Sequence, residues 1–246
     1  MSVDKSLSPE DCLQQEFNRW ADDGEGAKME RHHLDITKKT MRRMDLRPGE
    51  RVLDLGCGSG WATRLLARMV GKGQQGSRQV VGVDISDEMV RQAQDSSKEF
   101  DNVAFVVGSA AQIPWDANFF DKVLSVESFY YYPDQERSLT EIFRVMAPHG
   151  RLFILINLYR DNPYSLQWVP KLKVPVHIRS AVEYVELLKK HAFENVEYAL
   201  IPDDTPTPEN YQTTSFHSLD DLKAFKRIGA LLLMAFKPDV RSSVPE

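Results

Sequence analysis

The sequence predicts a doubly wound α/β fold, in which a seven-stranded and mostly parallel sheet carries helices on both faces. Short segments rich in Val, Ile and Leu alternate with amphipathic segments along most of the chain, the pattern of a parallel sheet buried on both sides. The first of these strands runs into a glycine-rich turn that opens a helix, a connection typical of doubly wound sheets. The 246 residues suit one large domain with appendages, and no clear boundary divides them into two domains.

The first 46 residues are predicted to form an N-terminal helical cap. Two helices are interrupted by the acidic and glycine-rich stretch 22–26, and the turn residues 47–50 end the segment. Basic residues cluster near the end of the second helix, where the helix dipole favours cations, and we interpret them as a solvated face. The cluster consists of Lys38, Lys39, Arg42, Arg43 and Arg47.

Residues 47–246 are predicted to form the α/β domain. Its strands are expected at residues 51–55, 79–84, 103–107, 122–126, 151–158, 195–201 and 230–236. Its helices are expected at residues 62–70, directly after the cap residue Ser86, and at 138–145, 180–191 and 218–225. The stretch from about 161 to 178, rich in proline and aromatic residues, is predicted to be a lid inserted after the fifth strand.

Composition and charge exclude several classes of protein. A net charge of −5 lacks the basic footprint of a nucleic-acid binder, so no nucleic-acid partner is expected. No stretch has the roughly 18 apolar residues that span a bilayer, and the first residues contain no apolar signal segment, so stable membrane insertion and secretion are not expected. Two cysteines are too few for a disulfide framework, which favours the cytoplasm. No histidine, cysteine and carboxylate cluster has metal-site spacing, so no metal is expected. The sequence indicates no oligomeric state.

The residues 52–60, with the sequence VLDLGCGSG, carry the most informative motif. Gly56, Gly58 and Gly60 allow a tight turn and the close approach of a ligand to the backbone. The second strand ends in Asp84, 24 residues after the last glycine, which is near the spacing of an acceptor for ribose hydroxyls. Together these features predict an adenosine-type ligand at the carboxyl ends of the strands.

The charge near the motif distinguishes between adenosine ligands. Asp54 would repel a pyrophosphate and would favour a ligand that carries an ammonium and a sulfonium group. Trp61 stands where a dinucleotide site has its third glycine, and no Lys-Ser/Thr pair closes the run as in a Walker loop. A nicotinamide-dependent oxidoreductase therefore remains only as an alternative.

Four motifs in order resemble those of class I S-adenosylmethionine-dependent methyltransferases, which have a Rossmann-like fold. The resemblance extends from about residue 49 to residue 158. Within the family, the sequence is similar to the group of quinone, tocopherol, sterol and sugar methyltransferases. The matching stretches are residues 52–60, 82–89, 108–115 with 120–121, and 144–152. The resemblance implies that S-adenosylmethionine is the cofactor and S-adenosylhomocysteine the product.

The resemblance also implies roles for individual residues in cofactor binding. Asp54 and the Gly56 carbonyl would hold the methionine part, Gly58 and Gly60 would allow its close approach, and Asp84 would accept both ribose hydroxyls. Ile85 and Met89 would enclose the adenine, although both could equally be core residues, and Ser109 and Ala110 would lie at its polar edge. An aspartate is usual at position 109, and the serine hydroxyl lacks its charge. His149 and the pair 191–192 stand where turn glycines are common.

The methyl acceptor is expected next to the end of the fourth strand. Related sugar and tocopherol enzymes have histidines at the positions of Tyr130 and Tyr131, so a histidine base at this point is in doubt. Candidate catalytic groups are therefore Glu127, Tyr130, Tyr131 and His33 from the N-terminal cap. The aromatic residues could instead only fill space, and His32 and His33 could be surface or packing residues. Aromatic residues expected in the pocket wall are Trp20, Trp61, Phe129, Tyr130, Tyr131 and Trp168.

The function predicted from these features is methyl transfer from S-adenosylmethionine to a small acceptor that is aromatic or apolar. Oxygen is favoured over carbon or nitrogen as the methylated atom. The main alternative is a non-catalytic protein that binds S-adenosylmethionine on the same fold, since fold alone does not establish activity.

Overall fold

A computed structural model of the chain describes residues 7–71, 79–212 and 215–239. Within these residues seven strands form one sheet in the order β3-β2-β1-β4-β5-β7-β6. The strands are β1 Val52–Leu55, β2 Val80–Asp84, β3 Val103–Val107, β4 Phe120–Val126, β5 Met146–Ile156, β6 Glu194–Ile201 and β7 Ala230–Phe236. The first five strands are parallel, and β7 runs antiparallel to both β5 and β6. The predicted seven-stranded, mostly parallel sheet is confirmed.

The helices begin where the sequence offers capping residues. The side chains of Ser8, Ser86, Asp134, Ser180 and Ser218 each accept a hydrogen bond from a backbone N–H in the first helical turn. The helices are α1 Pro9–Asp22, α2 Glu25–Met44, α3 Trp61–Val70, α4 Asp87–Asp95, α5 Gln135–Val145, α6 Ala181–Lys190 and α7 Leu219–Ile228. Two 3-10 helices, Phe129–Tyr131 and Ser165–Lys171, follow β4 and β5.

Helices cover both faces of the sheet because successive strand residues point to opposite sides. On one face, Leu53 and Val123 share a core cluster with Leu139 of α5 and Tyr184 of α6. On the other face the core joins α2 and α3 to the strands through Ile36, Met44, Val52, Leu66 and Leu124. The N-terminal cap is therefore anchored in the core through α2.

The region of β5 differs from the sequence expectation. The fifth strand was expected at 151–158, whereas β5 begins at Met146, directly after α5, because Met146 already pairs with Phe120 across an irregular register. α5 also begins at Gln135, three residues before the expected start at 138, because Asp134 caps it. His149 and Ala192, at positions where related proteins have turn glycines, have φ values of 64° and 62°.

The segments predicted to be a cap and a lid both contain helical elements. α1 and α2 are separated at Asp23 and Gly24, inside the predicted break at 22–26. Residues 1–6 of the predicted cap lie outside the described residues, and the domain boundary at residue 46 stays a prediction. The predicted lid contains the 3-10 helix Ser165–Lys171, whose Trp168 packs against Phe225 of α7. Across the described ranges, no helix is long and apolar enough to cross a membrane.

Candidate active site

A cavity lies at the carboxyl ends of β1, β2 and β4 and is covered by the two N-terminal helices. The sheet side contributes the glycine turn after β1, the Asp84 and Ile85 pair, the loop around Ser109, and Glu127. The helical side contributes apolar residues of α1 and α2, which are Leu13, Phe17, Trp20 and Met29. The same helices also contribute the polar side chains Glu10 and His33, so the helical side of the cavity is mostly but not entirely apolar.

The glycines of the turn have different functions in the structure. Gly58 has a φ of 51° and lines the cavity, and a Cβ on it would meet no atom within 4 Å, so its position borders open space. Gly56 also lines the cavity, but a Cβ there would lie 2.4 Å from Ser128. Gly60 does not line the cavity; its Cβ would lie 2.7 Å from the Phe105 ring. Gly60 is thus needed for packing, whereas Gly58 leaves room for a ligand.

Asp84 presents a carboxylate to the cavity at the end of β2. Its Oδ2 accepts a hydrogen bond from the Gly58 N–H (2.8 Å), and its Oδ1 accepts one from the Ser86 N–H (2.9 Å). Burial raises the pKa of Asp84, while these backbone donors act in the opposite direction. Asp84 therefore connects the glycine turn to the start of α4.

Asp54 lies behind the glycine turn and is not part of the cavity wall. It is fully buried, and its Oδ2 accepts a hydrogen bond from the Thr63 hydroxyl (2.6 Å). Burial raises the pKa of Asp54 to about 7, and the nearby Asp84 charge contributes to the rise. Two buried carboxyl groups beside a cradle of glycines suit a cationic ligand, because a positive charge would stabilise their ionised forms. The two carboxyl groups and the glycine turn therefore fit S-adenosylmethionine, which carries a sulfonium and an ammonium group.

The predicted adenine residues lie together in the same cavity. Ile85, Met89, Ser109 and Ala110 all contribute to its wall. The Ser109 hydroxyl donates a hydrogen bond to a carboxylate oxygen of Glu10, the second residue of α1. Sequence reasoning missed Glu10, because only the packing of α1 brings the two residues together.

Glu127 occupies a strained backbone position after β4. Its φ is 54°, in the left-handed region that residues other than glycine rarely adopt. Its Oε1 accepts a hydrogen bond from the Asn157 N–H (2.6 Å), and its Oε2 accepts one from the Tyr130 hydroxyl (3.0 Å). Burial raises the pKa of Glu127 to about 8, so the carboxyl group is mostly protonated at neutral pH.

His33 faces Glu127 from α2. Its Nε2 lies 3.8 Å from Glu127 Oε2, too far for a direct hydrogen bond. Its Nδ1 is 2.8 Å from the Met29 carbonyl oxygen, which can only accept, so Nδ1 carries the proton. Burial lowers the pKa of His33 to about 4, which leaves the imidazole neutral with a lone pair on Nε2.

The two candidate tyrosines have different positions relative to the cavity. Tyr131 lines the cavity and packs edge-to-face against Phe17 and Trp20, with ring centroids 5.1 Å and 6.3 Å apart. Tyr130 does not line it; burial raises its pKa well above the usual value, and its hydroxyl bonds Glu127 from behind. Glu127, His33 and Tyr131 thus meet at the cavity, whereas Tyr130 lies behind them, in contact with Glu127 through its hydroxyl and with Tyr131 through its ring (centroids 4.6 Å apart).

The expected aromatic wall is correct in part. Trp20, Trp61 and Tyr131 line the cavity, but Phe129, Tyr130 and Trp168 do not. Phe129 packs against Tyr132, and Trp168 packs against Phe216 and Phe225 of a small cluster that includes α7. Sequence reasoning missed Phe17 and Met29, although both lie on the inner faces of amphipathic helices. In the part of the chain that the structure describes, no group of three or more His, Cys, Asp or Glu side chains could hold a metal ion.

Comparisons with known proteins show the family to which the chain belongs. The family model described as a methyltransferase domain matches residues 53–154. The demethylmenaquinone methyltransferase of Staphylococcus carnosus is 33% identical over 215 residues, which cover 83% of each chain. The 27-O-demethylrifamycin SV methyltransferase of Amycolatopsis mediterranei is 26% identical, with 88% of each chain covered. One further relative aligns over only 122 residues, and the chain covers 42% of its length.

A solved structure supports the same relationship. It contains the Trm112 methyltransferase activator of Haloferax volcanii in complex with a chain described as a methyltransferase. The match has a TM-score of 0.81 and 31% identity, and it covers 91% of this chain and 98% of the other.

Proposed function

Because this chain belongs to the class I S-adenosylmethionine-dependent methyltransferases, we propose that it methylates an oxygen atom of a small aromatic or apolar acceptor. The observation that carries this proposal is the neutral His33 imidazole beside Glu127 at the edge of the cavity. An oxygen acceptor must lose a proton during transfer, and the free lone pair on Nε2 of a neutral imidazole can accept it.

Residues at the strand ends would hold the cofactor. Asp84 would accept the ribose hydroxyls, and Gly56 and Gly58 would allow the methionine part to approach the backbone. Asp54 would act through its charge from behind the turn. Ile85, Met89, Ser109 and Ala110 would surround the adenine. When bound, S-adenosylmethionine supplies an electrophilic methyl group on a sulfonium.

The acceptor would lie between this region and the N-terminal helices. Phe17, Trp20 and Tyr131 offer aromatic surfaces against which a flat ring can pack. The names of the two relatives support this assignment: one acts on demethylmenaquinone, and the other is named for an O-demethylated rifamycin. Helices α1 and α2 would exclude water and place the acceptor hydroxyl near His33 Nε2.

In this proposal Glu127 and Tyr130 are positioning residues. Tyr130 holds one oxygen of Glu127, and the Asn157 N–H holds the other. A carboxyl group fixed in this way would orient the acceptor or the imidazole while remaining neutral. Tyr131 would contact the acceptor ring.

The net charge and the cysteines bear on the class of acceptor and on the cellular compartment. A net charge of −5 argues against a nucleic acid as acceptor. Cys12 and Cys57 are both free thiols, which supports the reducing cytoplasm as the compartment.

A product analysis with a ¹³C-methyl-labelled cofactor tests this function. The panel contains 1,4-dihydroxynaphthalene, which offers oxygen and ring carbon, and 1-naphthylamine, which offers nitrogen. We expect label on oxygen. We also expect His33→Gln to lower turnover by about 100-fold or more, the usual contribution of a general base, with unchanged affinity for S-adenosylhomocysteine.

His32→Gln is the matched control, since His32 is the exposed neighbour of His33. It should keep the activity of the unmodified protein. Label on carbon or nitrogen alone would refute the oxygen assignment, and full turnover in His33→Gln would refute the base. Cofactor binding without transfer to any acceptor would favour the non-catalytic alternative.

A further inference from the structure

A carboxylate from the N-terminal helix lies where the adenine would be bound. Glu10 lines the cavity together with Ile85, Met89 and Ser109. Its Oε1 lies 2.5 Å from the Ser109 hydroxyl oxygen. Among the described residues, its Oε2 has no hydrogen-bond partner. One oxygen of a cavity-lining carboxylate is therefore available to a ligand.

The hydrogen bonds of Ser109 determine which group can recognise an amine here. The Ser109 oxygen accepts a hydrogen bond from the Ala111 N–H (3.0 Å), and its single proton is donated to Glu10. The 6-amino group of adenine is a donor and needs an acceptor. A carboxylate accepts more strongly than a hydroxyl, so Glu10 is the better partner for that amine.

The first helical turn fixes the position of Glu10. The Ser8 hydroxyl accepts from the Asp11 N–H, and the Asp11 carboxylate accepts from the Ser8 N–H, which completes a capping box. Farther along α1, Asn18 accepts a hydrogen bond from the Ser86 hydroxyl (2.6 Å) and donates one to Asp87 (2.8 Å). α1 is thus attached to the start of α4, next to the adenine residues.

We propose that the Glu10 carboxylate accepts a hydrogen bond from the 6-amino group of the cofactor's adenine. It replaces the loop carboxylate that is common at position 109 in related proteins, where this chain has serine. The inference rests on the adenine placement in the proposed function. As a consequence, recognition of the base depends on an N-terminal helix and not only on the sheet.

Two ligands that differ only at this position of the base test the proposal. S-adenosylhomocysteine carries the 6-amino group, and S-inosylhomocysteine carries a carbonyl oxygen there, which cannot donate. Calorimetry gives both dissociation constants. We expect the full chain to prefer S-adenosylhomocysteine by about 10- to 100-fold, since a buried site that pairs an amine discriminates against its absence.

In Glu10→Ala the preference should fall to within about threefold. Glu10→Gln should show a weaker or reversed preference, because the amide can donate to the carbonyl of the inosine ligand. Adding Ser109→Asp to Glu10→Ala should restore the preference. Gln15→Ala, an exposed change on the same helix, serves as the control and should keep it.

The ratio of the two constants separates base recognition from folding. A misfolded variant loses affinity for both ligands, whereas loss of base recognition changes the ratio. An unchanged ratio in Glu10→Ala, or equal binding of both ligands by the unmodified chain, would overturn this inference alone. If the unmodified chain bound neither ligand, the proposed cofactor site would fail as well.

Discussion

The protonation of Glu127 predicts how stability depends on pH. Burial raises the pKa of Glu127 from 4.5 to about 8. Between these values the native state holds a proton that the unfolded chain has released, so rising pH lowers the free energy of unfolding. The contribution is fully present below about pH 4.5 and is lost as pH rises through 8. Glu127→Gln removes this titration and keeps a neutral side chain of the same shape.

The expected size follows from the release of one proton. One proton changes the free energy of unfolding by about 1.4 kcal/mol per pH unit across this window. Between pH 5.5 and 7.5, the Gln variant should therefore gain roughly 2 to 3 kcal/mol relative to the unmodified chain. Groups whose pKa does not depend on Glu127, such as Asp54, cancel in this difference because both proteins contain them.

Urea denaturation at pH 5.5, 6.5, 7.5 and 8.5 measures the difference directly. The two proteins are compared at each pH, and the slope of their difference is the quantity of interest. Glu186→Gln is the control, because Glu186 is exposed on α6. It reports the effect of replacing a solvent-exposed carboxylate by the same amide.

A difference between Glu127→Gln and the unmodified chain that is constant from pH 5.5 to 7.5 would refute the reasoning. It would mean that Glu127 is ionised throughout this range. A buried carboxylate 3.8 Å from His33 would then favour the imidazolium, which cannot accept a proton. The proposed base would be lost with the neutral carboxyl group.

Two further predictions concern the cofactor and the acceptor. Affinity for S-adenosylhomocysteine should rise by up to about tenfold per pH unit between pH 5 and 6.5, because the ammonium group of the ligand favours ionised Asp54, whose pKa is about 7 in the free protein. The affinity of Asp54→Asn should depend less on pH, and equal slopes in the two proteins would contradict the role of Asp54. Tyr130→Phe should lower turnover about tenfold through loss of the hydrogen bond to Glu127, and its cofactor affinity should stay within twofold of the unmodified chain. The control Tyr198→Phe, at an exposed position, should change neither quantity, and normal turnover in Tyr130→Phe would exclude a role for the Tyr130 hydroxyl.

The sheet was predictable because its determinants are local. β3 and β7 have the predicted bounds, 103–107 and 230–236, because each is a short apolar segment between turn residues. β5 was not fully predictable, since its first residues, 146–150, form a strand only by pairing with β4. The position of a residue in a pairing register is not encoded in its own hydrophobicity.

The polar half of the site could also be predicted from sequence. The glycine turn and Asp84 lie at the ends of adjacent parallel strands, so topology alone brings them together. His33 had a helical signal as well, because it lies three, four and seven residues before the buried Ile36, Thr37 and Thr40 of α2. His32 shares only the spacing to Ile36 and is exposed.

The remaining residues depend on how α1 packs onto the sheet. Glu10 is separated from Ser109 by 99 residues, and no periodicity indicates their contact. The two tyrosines after β4 are neighbours in a 3-10 turn, so only the three-dimensional structure shows that Tyr131 faces the cavity and Tyr130 faces away.

The two ends of the cavity differ in charge in a way that suits the proposed reaction. Asp54 and Asp84 lie at the end where the cationic cofactor would bind, and a bound cation would stabilise their ionised forms. A protonated histidine at the other end would repel the same cation, whereas His33 is neutral because of burial. The neutral Glu127 adds no charge that would raise the pKa of the imidazole. A base kept uncharged in this way is available at neutral pH, and the strained backbone at Glu127 is the kind of feature that clusters at functional sites.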